Sequence, residues 1–160
     1  MSQPEYTVEP GKVIRVYNEA ETREIEANWI RVYCKDKSGA NIKAYHWHIF
    51  SFKKYLAVEG EEAEKEYLSR LEPEYIILPN DGELAIVTNE LPKSCSLSDY
   101  LVFPKNMSWT MARTHEEGWL GPYFAKHKNY KILDRENKSK REALLKKHKE
   151  IQNAKLKGWM

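Results

Sequence analysis

The most constraining feature of the sequence is an Asp-Gly pair, Asp81-Gly82, set between two apolar runs. The run before it reads EYIILP and the run after it reads ELAIVTN, and both are rich in β-branched residues. Asp-Gly supplies the left-handed backbone that tight hairpin turns need. The pair therefore predicts two antiparallel strands, and a chain built around them must bury a sheet face.

Other segments are expected to extend this sheet. The 42–52 run alternates and carries bulky side chains on both faces, so we expect it to be a central, covered strand. Residues 1–11 predict a loose arm and residues 91–98 a loop, because proline, glycine and serine interrupt them. Strands are predicted at the alternating or β-branched runs 13–17, 29–33, 42–52, 100–103 and 108–114.

Helices are predicted at three places. Asn18 followed by Glu21 has the spacing of a capping box, which favours a short helix over residues 18–28, with a polar hairpin as the alternative. Residues 61–71 place apolar side chains at helical spacing before Pro73. From Asn137 onward a basic helix is predicted, with a narrow apolar stripe that could dock on the body, on a partner or on nucleic acid.

These elements predict a single-domain α+β fold with a mainly antiparallel sheet, one or two body helices and a C-terminal basic helix. Residues 126–160 hold twelve Lys and Arg and four Asp and Glu, a net charge of +8; because the whole chain has +2, the first 125 residues carry −6. We therefore predict an α+β domain, 1–125, and a basic helical extension, 126–160. Such a tail contacts a polyanion or the body itself.

Composition also narrows the class of protein. No apolar run approaches the roughly 18 residues that cross a bilayer, so no membrane partner is expected. The polar, acidic start is unlike a signal peptide, and the two cysteines, Cys34 and Cys95, give no disulfide framework. A reduced, cytoplasmic protein is the expectation. No cofactor is expected, because the glycine patterns of nucleotide-binding loops are missing from the sequence.

The candidate site is the stretch THEEGWLGPYF, residues 114–124. Its glycines allow left-handed backbone and its rings can clamp the loop, so it could be a binding loop or an aromatic plug that closes one end of the core. The predicted binding residues are Trp109, His115, Glu116, Trp119 and Tyr123.

Two histidines are the candidates for chemistry. With Glu116 or Glu61, His48 and His115 could form a two-histidine, one-carboxylate metal site that activates water in a hydrolase or nuclease. The alternative is that His48 is a core histidine and that His115 orders the loop. No HExxH spacing supports the metal site, and a His46-x-His48 pair on one strand face is a weak metal signal. Without such support, we expect no metal and no catalytic residues.

Several segments taken together resemble a bacterial family, the domain of unknown function 4275. They are HWHIFSF, VEGEEAEKEY and WTMARTHEEGWLGPYF, and the resemblance covers about residues 28–124. It implies a small soluble bacterial protein of uncharacterised function. The matching positions are Trp47, His48, Phe50, Ser51, Glu59, Gly60, Glu61, Trp109, Thr110, Thr114, His115, Glu116, Gly118, Trp119, Gly121, Pro122, Tyr123 and Phe124.

The preferred function is a non-enzymatic binding or regulatory protein, immunity-like, that acts on a macromolecular partner. The acidic run Glu59, Glu61, Glu62, Glu64 and Glu66 could dock on a basic partner such as a nucleic-acid-cleaving toxin, or it could be a solvated helix face. One alternative is the hydrolase or nuclease described above. Another is a nucleic-acid-binding module that uses the basic tail, through Lys138, Lys140, Arg141, Lys146 and Lys147.

Overall fold

The structure is a computed structural model that describes residues 6–36, 42–117 and 119–156. This part of the chain forms nine strands and four helices. In order they are β1 (Val8–Glu9), β2 (Val13–Val16), α1 (Glu19–Tyr33), α2 (His48–Ser51), β3 (Val58–Glu59), α3 (Glu61–Leu68), β4 (Tyr75–Pro79), β5 (Ile86–Thr88), β6 (Ser94–Cys95), β7 (Tyr100–Phe103), β8 (Trp109–Arg113), β9 (Tyr123–Lys126) and α4 (Tyr130–Leu156).

Seven strands form one antiparallel sheet in the order β2-β5-β4-β7-β8-β9-β3. Strands β4 and β5 pair with Ile77 opposite Ile86, which confirms the pairing predicted from Asp81-Gly82. A second, two-stranded sheet joins β1 to β6, with Val8 opposite Cys95. The predicted loose arm and loop are thus wrong at these positions, because each supplies the hydrogen-bonding partner that the other needs.

The first helix is longer than the sequence predicted. Asn18 and Glu21 form the predicted capping box, but the predicted strand 29–33 is wrong, because those residues continue α1. Trp29 and Tyr33 lie one helical turn apart and are both buried, at 0% and 1% exposure. Their packing against the sheet outweighs the β-branched composition of the segment, as tertiary contacts often do.

The predicted central strand over residues 42–52 is also wrong. Its described part is a series of turns followed by the short helix α2. His46, Ile49 and Phe50 are all buried, which is the spacing of a helical turn and not of a strand. The sequence KDKSG, residues 35–39, predicts a turn before this segment, and residues 37–39 of it lie outside the described residues.

The other helices differ mainly in their ends. Helix α3 buries Ala63 and Tyr67 but stops at Leu68, so that the side chains of Leu68 and Leu71 are both about half exposed. The C-terminal helix α4 begins at Tyr130, before the predicted start at Asn137.

Two hydrophobic cores lie on the two faces of the large sheet. Alternate residues of β4 face opposite ways: Ile76 and Leu78 pack in the core that contains α1, whereas Tyr75 and Ile77 pack in the core that contains α3. The sheet is therefore covered on both sides, as its fully buried central strands require. The predicted α+β class with a mainly antiparallel sheet is confirmed. No helix in the described ranges is long and apolar enough to span a membrane.

Candidate functional site

The loop between β8 and β9 is held in shape by its own hydrogen bonds. The Thr114 hydroxyl donates to the Leu120 carbonyl at 2.6 Å and accepts from the Glu116 amide at 3.1 Å. Gly121 has a positive φ of 82°, and a Cβ there would lie 2.9 Å from the Thr114 side chain. This closed loop leaves Trp119 at its tip, 82% exposed.

Asp99 fixes the position of His115. Its carboxylate lies 2.9 Å from His115 Nδ1 and also accepts the His115 backbone N–H at 3.1 Å. The same Oδ1 accepts the Trp47 indole N–H at 2.9 Å. On the other side of the ring, Nε2 lies 3.6 Å from Glu116 Oε1. The hydrogen bond to Asp99, together with the charges of both carboxylates, raises the pKa of His115, so the site favours a protonated imidazole.

His48 and His115 join one aromatic cluster. The Tyr45 ring lies 5.4 Å from the His48 ring and 4.9 Å from the His115 ring, and Trp47 also contacts both. His46 does not form the predicted pair with His48. It is buried, and its Nε2 lies 2.6 Å from Glu26 Oε2. The hydrogen bond from His46 lowers the pKa of Glu26.

His48 and His115, the two histidines predicted as candidates for chemistry, thus share aromatic neighbours. The carboxylate that orients His115 is Asp99. Within the described residues, no three side chains of His, Cys, Asp or Glu lie close enough together to hold a metal ion. A cation site at His48, His115 and Glu116 stays a prediction. The missed residue, Asp99, had a sequence signal, because it directly precedes the predicted strand that pairs with the strand before His115.

Two of the predicted binding residues do not reach the surface. Trp109 is 0% exposed and stacks on Phe124 with ring centres 5.6 Å apart. Tyr123 is also buried, beside Trp47. Tyr123 belongs to the core that contains α1 and Trp109 to the core that contains α3, so the residues that can contact a partner directly are Trp119, His115 and Glu116.

Trp119 faces the acidic run across a shallow concavity. The edge pair of β3 with β9 brings the two together, and the Gly60 amide donates to the Pro122 carbonyl at 3.0 Å. The concavity has a volume of about 690 Å³, and Trp119, Pro122 and four acidic side chains line it. Those acids are Glu59, Glu61, Glu64 and Glu117.

Only part of this acidic run is neutralised from within. Arg113 pairs with Glu64 and lies 3.4 Å from Glu117, while Glu66 pairs with Arg70. Over the described part of the chain, no ion pair involves Glu59, Glu61 or Glu62. Lys65 also lines the concavity, but the four carboxylates outnumber Lys65 and Arg113 together. The concavity therefore presents net negative charge beside an exposed indole.

A family model described as a domain of unknown function, DUF4275, matches residues 18–124. The chain belongs to that family. No curated protein and no solved structure matches the chain. The DUF4275 region runs from the N-cap of α1 to the middle of β9, so it contains the loop, the acidic concavity and the Asp99–His115 pair.

Helix α4 lies outside the DUF4275 region. Lys138, Lys140, Lys146 and Lys147 are exposed on it. Arg141 instead faces the body, with Nη1 3.0 Å from Glu72 Oε1 and 3.2 Å from Asp134 Oδ1. Of the predicted nucleic-acid contacts, the four lysines are thus accessible, whereas Arg141 already has two carboxylate partners.

Proposed function

We propose that this protein is a non-enzymatic binding protein that captures a basic protein partner, and that it acts in the cytoplasm. The observation that carries the proposal is the concavity where the exposed Trp119 faces the unpaired carboxylates Glu59 and Glu61. A partner such as a nucleic-acid-cleaving toxin would offer the matching positive surface. That neither cysteine forms a disulfide is compatible with a reducing compartment.

Trp119 has the properties of an interface anchor. Exposed large rings that become buried on binding supply much of the binding energy at protein interfaces, and tryptophan is enriched among such hot spots. The bond from Thr114 to Leu120 within the loop, and the bond from Gly60 to Pro122 that ties the loop to the end of β3, order the segment before any partner arrives. Less entropy is then lost on association.

The carboxylates around Trp119 add selectivity. Like-charged acidic partners would be repelled, and a basic partner would be attracted over distances of about a Debye length, roughly 8–10 Å. Glu59 and Glu61 can take part because no internal arginine or lysine of the described chain pairs with them. Association should therefore slow as salt is added.

The test uses immobilised protein and lysate of the organism that encodes it. The baits are the natural chain, Trp119→Ser, and the double variant Glu59→Gln with Glu61→Gln. Matched controls are Leu68→Ser, which removes an exposed apolar side chain outside the concavity, and the double variant Glu24→Gln with Glu90→Gln.

We expect the natural chain and both controls to retain a basic protein. The two site variants should retain at least about tenfold less of it. Its purified form should bind more slowly at high salt. The same set of retained proteins on the natural chain and on Trp119→Ser would overturn the proposal, and so would retention of no protein by the natural chain.

A metal-dependent hydrolase or nuclease stays the second candidate. Its support is that Asp99 orients His115, as carboxylates do for catalytic histidines. Metal-dependent hydrolysis of a phosphodiester that disappears in His115→Ala would favour it, and equal rates in the two proteins would remove it. The nucleic-acid module also stays a prediction, tested by whether binding to single-stranded DNA weakens steeply with salt.

A further inference from the structure

An apolar groove lies where the edge strand β3 begins. Strand β3 pairs with β9 only at Val58 and Glu59. Just before the strand, Leu56 is 91% exposed. The groove between this segment and β9 has a volume of about 500 Å³, within the range of small-molecule sites. Its apolar lining is Tyr55, Leu56, Ala57, Val58, Phe124 and Ala125.

A cationic pocket of about 440 Å³ adjoins this groove. Arg31 and Lys35, near the end of α1, lie on one side of it, and His127 and Lys128 lie on the other. Burial and the charges of Lys35 and Lys128 lower the pKa of His127, so the imidazole favours its neutral form. No carboxylate among the described residues lines the pocket.

Lys128 is shared by the two cavities, because it lines both. Beneath them, the buried Tyr33 ring packs against Tyr55 at 4.9 Å and against His127 at 6.5 Å. Lys54, Lys126 and Glu66 also line the groove, and the Lys126 ammonium lies 4.0 Å from Glu66. The joined site is thus mainly apolar at one end and positively charged at the other.

We propose that this joined site binds an anionic amphiphile, a single acyl chain that carries a phosphate or carboxylate head group. The chain would lie in the groove against Leu56 and Val58, and the head group would lie beside Lys128 in the cationic pocket. Single-stranded nucleic acid fits less well, because it binds by stacking on exposed ring faces. Phe124 is buried, and the Tyr55 hydroxyl is tied to the Lys126 carbonyl at 2.5 Å.

The test is calorimetric titration of the full chain with decyl phosphate below its micellar concentration. We expect saturable binding that weakens about tenfold for octyl phosphate, because each buried methylene strengthens binding by roughly two- to fourfold. Decanoate should also bind, but more weakly than decyl phosphate, because its carboxylate head group carries less charge. Decyltrimethylammonium, which has the same chain and the opposite charge, should not bind saturably.

Two variants locate the site. Lys128→Glu should weaken the binding of decyl phosphate at least about tenfold by placing a negative charge beside the head group, and Leu56→Ser should weaken it about fivefold. Both side chains are exposed, so the fold should tolerate the changes. Lys12→Glu and Leu145→Ser are the matched controls and should bind as the natural chain does.

The proposal is overturned if decyltrimethylammonium binds as tightly as decyl phosphate, or if Lys128→Glu has no effect. A second pair of results would also overturn it. In that case a decathymidylate strand or inorganic phosphate binds the natural chain as tightly as decyl phosphate does, and Leu56→Ser binds decyl phosphate as the natural chain does. Trp119→Ser should leave the binding of decyl phosphate unchanged, so this result is independent of the capture of a basic protein at the acidic concavity.

Discussion

His115 lies between two carboxylates, and this decides which of its protonation states the folded protein prefers. Asp99 bonds one ring nitrogen and Glu116 lies near the other. A histidine held in this way is well placed to tie the loop to the start of β7. Because each ring nitrogen carries a proton in the imidazolium, the attachment of the loop through His115 to Asp99 should be strongest at low pH.

The first prediction concerns stability and pH. The folded pKa of His115 is raised above the unfolded value of about 6.5. Its contribution to the free energy of unfolding is therefore fully present below pH ~6.5 and is lost as pH rises through the folded pKa. Chemical denaturation of the natural chain and of His115→Gln should show a larger stability difference at about pH 5.5 than at about pH 8.5.

Two further variants make this prediction specific. Asp99→Asn should lower the pKa of His115 toward its ordinary value, as measured by NMR titration of the ring. His127→Gln is a control whose stability difference should depend on pH in the opposite direction. The folded pKa of His127 is lowered. The stability that His127 contributes is therefore lost as pH falls. A His115 difference that does not depend on pH would contradict the prediction.

At the residue scale, the sequence indicated part of the site. Trp119, His115 and Glu116 could be singled out because aromatic, acidic and glycine residues are concentrated in one short stretch. Asp99 could have been placed beside His115 from the pairing of β7 with β8. The burial of Trp109 could not be predicted, because an alternating strand has two faces and the sequence does not show that both are covered.

At the scale of elements, strands β4, β5, β7 and β8 were predicted correctly because local turn and strand signals agree with the final fold. The segments that failed, 29–33 and 42–52, both contain aromatic and β-branched residues whose burial in the core of α1 follows helical spacing. For such short apolar runs, only the tertiary partner decides between the two periodicities.

Helix α4 docks on the body through a buried charge. The Glu72 side chain is 1% exposed, and its Oε1 accepts from Arg141 at 3.0 Å and from the Trp109 indole at 3.4 Å. Glu72 Oε2 has no hydrogen-bond partner among the described residues, and burial raises the pKa of Glu72. Arg141 is therefore the main compensation for a carboxylate that folding removes from water.

The second prediction is that Arg141→Met lowers the free energy of unfolding by about 3 kcal/mol, because it leaves the buried Glu72 carboxylate without its cation. Lys140→Met, one residue away and exposed, is the matched control and should change stability by less than about 0.5 kcal/mol. Urea denaturation measures both. Adding Glu72→Gln to Arg141→Met should recover part of the loss, and equal effects of the two single variants would refute this account of docking.

At the scale of the whole molecule, charge is separated into distinct surfaces. The acidic concavity lies beside α3 and the loop of residues 114–122, while the cationic pocket lies between the end of α1 and the start of α4. The boundary predicted between residues 125 and 126 falls inside β9, whose last residue is Lys126. Whether the two parts act as separate units therefore depends on how firmly α4 is attached.

The third prediction separates the anchored half of α4 from the rest. Asn137 is buried and donates to Ser108 at 3.0 Å and to Asn106 at 3.2 Å, and Arg141 follows one turn later. A chain that ends at Lys147 keeps these contacts, because both residues precede the cut. Its melting temperature should therefore stay within about 3 °C of that of the full chain.

A chain that ends at Asn129 loses the partners of Glu72, Ser108 and Asn106 together. Because each lost hydrogen bond costs a net of about 0.5–1.5 kcal/mol, and one to a charged group about 1.5–3 kcal/mol, this chain should be destabilised by more than about 3 kcal/mol. Calorimetric melting of the two truncated chains beside the full one measures the difference. Equal melting temperatures for all three would mean that α4 is a separate extension, as the sequence alone predicted; a large loss only in the shorter chain would make its first half part of the domain.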